Sequence, residues 1–300
     1  MEINYHNPVL LNRSVSDLIS QKDGVYVDVT FGGGGHSKKI LKSLDSKGRL
    51  YAFDQDQDAQ KNTLSDPRFE LIKANFKDLK RYLKFHGVGA VDGILADFGV
   101  SSHQFDDEKR GFSIRFEGRL DMRMDQTSLL SAYEVVNTYS EQQLISILKL
   151  YGEVKGAHKI VDAILDWREE REVETTTDLI EIIKPLIPER FLNKTLAQVF
   201  QAIRIEVNQE LEAIKLFLQQ AVEILKPGGR LVCISYHSLE DRLVKRFVRE
   251  GVFEGFAEQD FFGNRFVPMK KIGGLVTPDE EEIKTNSRAR SAKLRTAEKK

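Results

Sequence analysis

Three aspartates occupy matching positions in this chain. Asp28 closes the β-prone run Val25-Tyr-Val-Asp28, Asp54 follows Leu50-Tyr-Ala-Phe53, and Asp97 follows the strand-like run Val91 to Ala96. A carboxylate offers two acceptor oxygens and a negative charge, which suits paired hydroxyls, amines and cations. Directly after the first aspartate, Thr30-Phe-Gly-Gly-Gly-Gly-His36 leads into a helical stretch with Ile40, Leu41 and Leu44 on one face. Glycines where a strand turns into a helix let backbone N–H groups and the helix N-terminus approach a ligand closely. A tight structural turn would use the same residues. The spelling separates ligand classes, because there is no G-x-G-x-x-G and an aspartate precedes the loop. That fits a ligand cationic at its amino group better than a pyrophosphate, and so a methionine-bearing nucleoside better than NAD.

Asp54 is placed to accept hydrogen bonds from both ribose hydroxyls of a nucleoside; the alternative is a helix cap. Asp97-Phe-Gly-Val-Ser-Ser102 stands where enzymes that methylate exocyclic amines place a polar residue, two prolines and an aromatic, and here the prolines are missing. The lone pair of such an amine is delocalised into its ring. Acceptors that hold its N–H groups favour the pyramidal nitrogen that attacks a methyl group. Asp97 or neighbouring carbonyls would supply them, and contact with the cofactor is the alternative for Asp97. His237, after the fifth strand, is either close to an incoming base or a structural histidine. Cys233 lies in an apolar run and is expected in the core, not as a nucleophile. The six histidines never pair at ligand spacing, so no metal is expected.

These residues need a scaffold. With 300 residues, 41% hydrophobic and 30% charged, the chain has the composition of an ordinary globular protein and room for two units. No run approaches the roughly 20 apolar residues of a membrane span, and residues 1–7 are polar without a signal-peptide core; a cytoplasmic location is expected. Strands at 25–28, 50–53, 69–73, 91–96 and 230–235 alternate with helical stretches. This is the pattern of an α/β protein with a doubly wound, Rossmann-like parallel sheet, in which ligands collect at the carboxyl ends of the strands. The helix before the fifth strand carries the stripe Leu211, Ile214, Leu218, Val222 and Leu225 and is expected to stop at Pro227-Gly228-Gly229.

Residues 106–205 read as a smaller, all-helical insertion. Ser140-Glu-Gln-Gln143 and Thr195-Leu-Ala-Gln198 fit capping boxes, and Ala157, Ile160, Val161, Ile164 and Trp167 keep helical spacing, as do Leu196, Val199, Phe200, Ile203 and Val207. No Gly or Pro separates Arg190 from Leu225. The return to the sheet is therefore expected near residue 205, within one long or bent helix.

Net charge is −1, but its distribution is uneven. Lys284, Arg288, Arg290, Lys293, Arg295, Lys299 and Lys300 face one acid, Glu298, as in a phosphate-facing tail or a solvated one. Arg110, Arg115, Arg119 and Arg123, interleaved with Phe112 and Phe116, would suit single-stranded RNA, with guanidiniums for phosphates and rings for unstacked bases. A solvated loop is the alternative, since Asp106, Asp107, Glu108, Asp121 and Asp125 dilute the charge.

An ordered set of motifs runs almost end to end: His6-Asn-Pro-Val-Leu-Leu11, Asp28-Val-Thr-Phe-Gly-Gly-Gly-Gly-His-Ser37, Asp97-Phe-Gly-Val-Ser-Ser-His-Gln104, Arg110-Gly-Phe-Ser113, Leu120-Asp-Met-Arg-Met-Asp125, Tyr151-Gly-Glu153, Phe200-Gln-Ala-Ile-Arg-Ile-Glu-Val-Asn208, His237-Ser-Leu-Glu-Asp-Arg242 and Ser287-Arg-Ala-Arg-Ser-Ala-Lys-Leu-Arg295. In this set the chain resembles the MraW/RsmH-type small-subunit ribosomal RNA (cytosine-N4)-methyltransferases. The resemblance implies a class I methyltransferase sheet, formed by residues 1–105 and 206–300, with residues 106–205 recognising RNA. It implies S-adenosyl-L-methionine as cofactor, held at Gly34, Gly35, His36, Asp54, Phe76, Asp97 and Gln104. It also implies methylation of one cytidine N4 in small-subunit (16S) ribosomal RNA, in an assembled or nearly assembled subunit. Asp97 and His237 are the catalytic candidates. Arg110, Arg115, Arg119, Arg123, Arg242, Arg288 and Arg290 are the RNA-binding ones. Three positions depart from the family pattern: Phe98 replaces Leu, His103 replaces Pro, and Tyr236 replaces Phe. The competing readings are a DNA amino-methyltransferase acting on cytosine N4 or adenine N6, a dehydrogenase, and a non-catalytic RNA-binding protein.

Overall fold

Short β-prone runs, apolar and well covered at the centre and more polar towards the edges, become the strands of one sheet. In the computed structural model, which describes residues 8–300, these are β1 (Val25–Asp28), β2 (Arg49–Asp54), β3 (Phe69–Lys73), β4 (Val91–Asp97), β5 (Leu225–Ser235), β6 (Met269–Val276) and β7 (Lys293–Lys299). His6 and Asn7, the start of the first family motif, lie outside the described residues. The order is β3-β2-β1-β4-β5-β7-β6. The first five strands are parallel, and β7 runs antiparallel between β5 and β6. This is the doubly wound, Rossmann-like sheet of class I methyltransferases. Strand addition reverses between β1 and β4, so Asp28 and Asp97 end the two strands that flank the switch point, where ligands bind in open α/β sheets.

Helices α1 (Leu11–Leu18), α2 (Gly35–Ser43) and α3 (Leu79–Phe85) accompany the first four strands. The chain then builds α4 (Ser102–Asp106), α5 (Ala132–Thr138), α6 (Glu141–Leu150), α7 (Ala157–Glu170), α8 (Thr176–Ile183) and α9 (Glu189–Asn208). It continues through α10 (Glu210–Ile224), α11 (Ser238–Glu250) and α12 (Glu280–Thr285). Two compact units result: the residues up to Gly99 together with Leu211–Lys300, and Val100–Glu210. The first has its core on the sheet, where Tyr26, Phe53, Ile94 and Phe217 are fully buried. The second has its own helical core, with Val135, Val161, Leu179 and Val199 fully buried. Each such side chain contributes about 1.5–3 kcal/mol of hydrophobic stabilisation. Among the described residues, no helix is long and apolar enough to cross a membrane.

Local expectations are corrected in three places. Thr195 lies inside α9 and caps nothing, whereas Ser140 does cap α6 through a reciprocal bond with Gln143. The stretch without Gly or Pro is divided at Gln209, whose left-handed φ of 49° separates α9 from α10. The fifth strand begins at Leu225, opposite Val91, before the expected helix stop. The register then slips so that Arg230 pairs with Gly93, and Pro227-Gly228-Gly229 forms a bulge within the strand, where a residue without an N–H is tolerated.

The basic C-terminus is also no tail. Residues 293–299 pair on both sides, and Leu294, Thr296 and Ala297 are buried. Arg295 makes a two-pronged bond to Asp241 of α11, at 2.7 and 3.0 Å. Alternation of basic and small side chains disguised a strand as a charged terminus.

Candidate active site

The strand-end aspartates are tied to the glycine loop by backbone hydrogen bonds. Asp54 accepts from the N–H of Gly32 and, through its other oxygen, from that of Asp56, both at 2.8 Å. Asp28 is buried and accepts from the Ser37 hydroxyl at 2.7 Å and the Thr30 N–H at 3.2 Å. The Thr30 hydroxyl accepts from the N–H of Asp97 at 2.7 Å, which joins the ends of β1 and β4. Burial pushes each of the three carboxyls from the ordinary 3.8 up to about 6, and the charge of Asp28 adds to the push on the other two. Three carboxyls raised in this way around one loop carry a cost of ionisation that a nearby cation would relieve.

The glycine loop ends at Gly34, whose φ of 74° is left-handed, and no side chain caps the first turn of α2. The reasons for the last two glycines lie within the chain itself. A Cβ on Gly34 would meet the Phe31 ring at 2.9 Å, and one on Gly35 would come within 2.1 Å of Pro8 Cγ. Gly35 therefore makes room for the N-terminal segment. His36 fastens the same segment, its Nε2 lying 3.1 Å from the Val9 carbonyl oxygen. Its Nδ1 stands 3.7 Å from Asp97, and burial holds the ring below its ordinary range. His36 thus connects residues 8–9 to the floor of the site as a neutral imidazole.

Aromatic rings form another side of this region. Phe76, in the turn after β3, lies 6.0 Å from the Phe98 ring and 5.6 Å from that of Phe217 on α10. Phe98 is one of the departures from the family pattern, and it completes the cluster.

At the end of β5, the buried carboxylate of Glu240 accepts from the N–H groups of Tyr236 at 2.8 Å and His237 at 3.3 Å. The His237 ring is largely buried, with Nε2 3.1 Å from the other Glu240 oxygen. The Tyr236 hydroxyl donates to Asp97 Oδ1 at 2.8 Å. Asp97 and Glu240 lift the Tyr236 hydroxyl well above its usual range, after the larger effect of burial. Sequence reasoning passed over Thr30, Ser37, Tyr236 and Glu240. Their spacing from the aspartates carries no signal by itself, and only Tyr236 stood out, as a departure.

In the second unit, Gln104 is buried in the first turn of α4. Its side-chain oxygen accepts from the N–H of Ser101 at 3.0 Å, and its own N–H donates to the Ser101 hydroxyl at 3.2 Å. The four loop arginines divide into two kinds. Arg110 is buried and donates to the carbonyls of Arg123 and Met124, while Arg123 grips Asp121 and the Ser128 carbonyl. Both hold the loop together, and burial keeps Arg110 from the phosphate-facing position that the composition suggested. Arg115 and Arg119 are exposed beside the exposed Phe116. In the sheet unit, Arg242 and Arg290 are exposed and Arg288 is half-buried.

A doubly wound sheet, a glycine loop and three strand-end carboxylates, two of them flanking the switch point, define a class I methyltransferase scaffold. Comparison with known proteins agrees: the model of the MraW methylase family matches residues 4–300. The chain is 60% identical over 295 residues to ribosomal RNA small subunit methyltransferase H of Flavobacterium johnsoniae, and 59% identical over 295 residues to the protein of that name from Christiangramia forsetii; each alignment covers 98% of both chains. Among solved structures, it is similar to an rRNA methylase from Streptococcus thermophilus, at 12% identity and a TM-score of 0.42, over 95% of this chain and 91% of that one. The chain belongs to the MraW methylase family.

Proposed function

We propose that this protein transfers a methyl group from S-adenosyl-L-methionine to the exocyclic N4 of a cytidine in small-subunit ribosomal RNA. The observation that carries the donor is the group of three carboxyls raised to about 6 around the glycine loop. A nucleoside with an ammonium and a sulfonium supplies the missing positive charge, and an uncharged or phosphorylated one does not. Family membership and the relatives' names support the RNA substrate. When bound, the donor supplies an electrophilic methyl group.

Asp54, with an oxygen directed at each of two loop N–H groups, is the ribose acceptor in this reading. Asp28 and the Gly32 loop take the amino-acid end, and Phe76 lies against the base. Asp97 ends β4 and accepts an N–H of the incoming amine, which biases the nitrogen lone pair towards the methyl carbon. That nitrogen would take the methyl carbon of the bound donor, and the electron pair of the broken C–S bond would stay on sulfur. N4 sheds one proton, and a carboxylate poised near 6 is suited to receive it. No covalent enzyme intermediate is needed, so Cys233, buried and raised in pKa by burial, has no part. The unit Val100–Glu210 is assigned to RNA recognition, and the target cytidine must leave any stack to present N4.

Radiolabelled methyl transfer to free ribosomal RNA, small subunits and DNA, followed by nucleoside analysis, tests the reading. N4-methylcytidine from the ribosomal substrates is expected. Label in DNA alone would establish the DNA amino-methyltransferase instead.

A further inference from the structure

The loop between α11 and β6 is a built hairpin with an unusual surface. Gln259 bridges Arg265 across it, and Asp260 closes the turn by accepting from the N–H groups of Phe262 and Asn264 and the Asn264 side chain, at 2.8–2.9 Å. A carboxylate anchors its base: Glu250 is 2% exposed and receives Arg249, Arg265 and the N–H of Ala257. Yet the hairpin presents Phe256, Phe261, Phe262 and Phe266 at 79, 98, 86 and 66% exposure. Isolated exposed apolar residues are ordinary, but four phenylalanines on one fixed element mark an interaction surface.

Its place in the sheet unit says what kind of partner fits. Met269 pairs with Lys299, and Glu298 pairs with Arg230, just after the bulge of β5 and level with Gly93 near the start of β4, so the hairpin sits at the end of the sheet opposite the aspartates. Helix α11 connects the two ends over about 20 Å, at 1.5 Å per residue. Arg242 and Lys245 are exposed along it at a spacing that shares one helical face, Arg249 on the same face is paired with Glu250, and Lys270 and Lys271 are exposed on β6 beside the hairpin. A basic track that begins beside the site and ends on bare aromatic rings matches a single-stranded nucleic acid: cations follow phosphates, and rings stack on unpaired bases.

We propose that α11 and the hairpin form a second RNA contact, on which unpaired bases flanking the methylated region stack on Phe261 and Phe262. The inference rests on the ribosomal RNA reading above. In the full chain, Phe261→Ser with Phe262→Ser is expected to weaken binding of small-subunit ribosomal RNA and of poly(U) by at least about fivefold, with little change in the salt slope, because stacking releases no counterions. Arg242→Gln with Lys245→Gln is expected to flatten the salt slope. The KM for RNA should rise in the phenylalanine variant while kcat at saturation stays near that of the wild type. Cofactor binding, followed by calorimetry, reports that the variant is folded. Equal RNA affinity of variant and wild type overturns the proposal, as does a wild type that binds no RNA. So does the loss of a wild-type dimer in ultracentrifugation with RNA affinity unchanged, which would assign the phenylalanines to a second copy of the chain. Failure of the ribosomal RNA reading itself appears differently, as absence of methyl transfer by the wild type.

Discussion

The Tyr236 hydroxyl donates a 2.8 Å hydrogen bond to Asp97, and the two residues stand at the ends of neighbouring strands, β5 and β4. A phenylalanine, the residue that the resemblance leads one to expect at position 236, could not make this bond. The bond stabilises the carboxylate and opposes the upward push of burial on Asp97. Tyr236 is thus a positioning residue for Asp97. In Tyr236→Phe the Asp97 pKa should rise beyond about 6, and the acid limb of the single-turnover rate against pH should move to higher pH, with cofactor affinity at about pH 8 nearly unchanged. An acid limb at the wild-type position would remove Tyr236 from that role.

Asp54→Ala should weaken S-adenosylmethionine binding by about 1.5–3 kcal/mol, the usual worth of hydrogen bonds to a charged acceptor. The same carboxylate holds the N–H groups of Gly32 and Asp56, so the loop loosens as the ribose loses its partner. Calorimetry on the folded variant measures the loss, and wild-type affinity would sink the assignment.

Cofactor affinity should depend on pH in a definite direction. Asp28, Asp54 and Asp97 bind protons more tightly in the fold than in an unfolded chain, each raised from 3.8 to about 6. Their contribution to stability is full below about pH 4 and is lost as pH rises through about 6. A cation among them favours the ionised forms, lowers the pKa values and releases protons. Binding should therefore tighten from about pH 5 to about pH 7 and then level off. Proton release, read by calorimetry in buffers of different ionisation enthalpy, should be largest below pH 6. Affinity that falls over that range would contradict a cationic ligand at these carboxylates.

The centre of the parallel half was legible because β1, β2 and β4 are largely buried and each ends in an aspartate at the ligand edge, so that these strands and their carboxylates stand out in the sequence. The antiparallel edge was not. In β7, the buried Leu294 alternates with Lys293 and Arg295, and the meaning of Arg295 depends on Asp241, 54 residues away. Pro227-Gly228-Gly229 looked like a stop because local sequence cannot distinguish a turn from a bulge inside a strand. The same limit applied at the site. Gly35 reads as a ligand-loop glycine, but Pro8 is what fills the space beside it. His36 reads as a cofactor contact, while its Nε2 is committed to Val9.

Arg110 and Arg115 stand in one loop, five residues apart, and should answer mutation in opposite ways. Arg110 is buried with its guanidinium on the carbonyls of Arg123 and Met124, so Arg110→Ala leaves buried acceptors without a donor and should lower stability by about 1–3 kcal/mol. Thermal unfolding reads that loss. Arg115 and Arg119 are exposed, and their joint replacement by alanine should leave the melting temperature and cofactor binding unchanged. Instead, RNA affinity should fall, and the slope of its logarithm against the logarithm of salt should shrink by about 1.4, because each phosphate contact to a single strand contributes about 0.7. An unaltered slope would make Arg115 and Arg119 a solvated surface, and RNA recognition in the unit Val100–Glu210 would then need other residues.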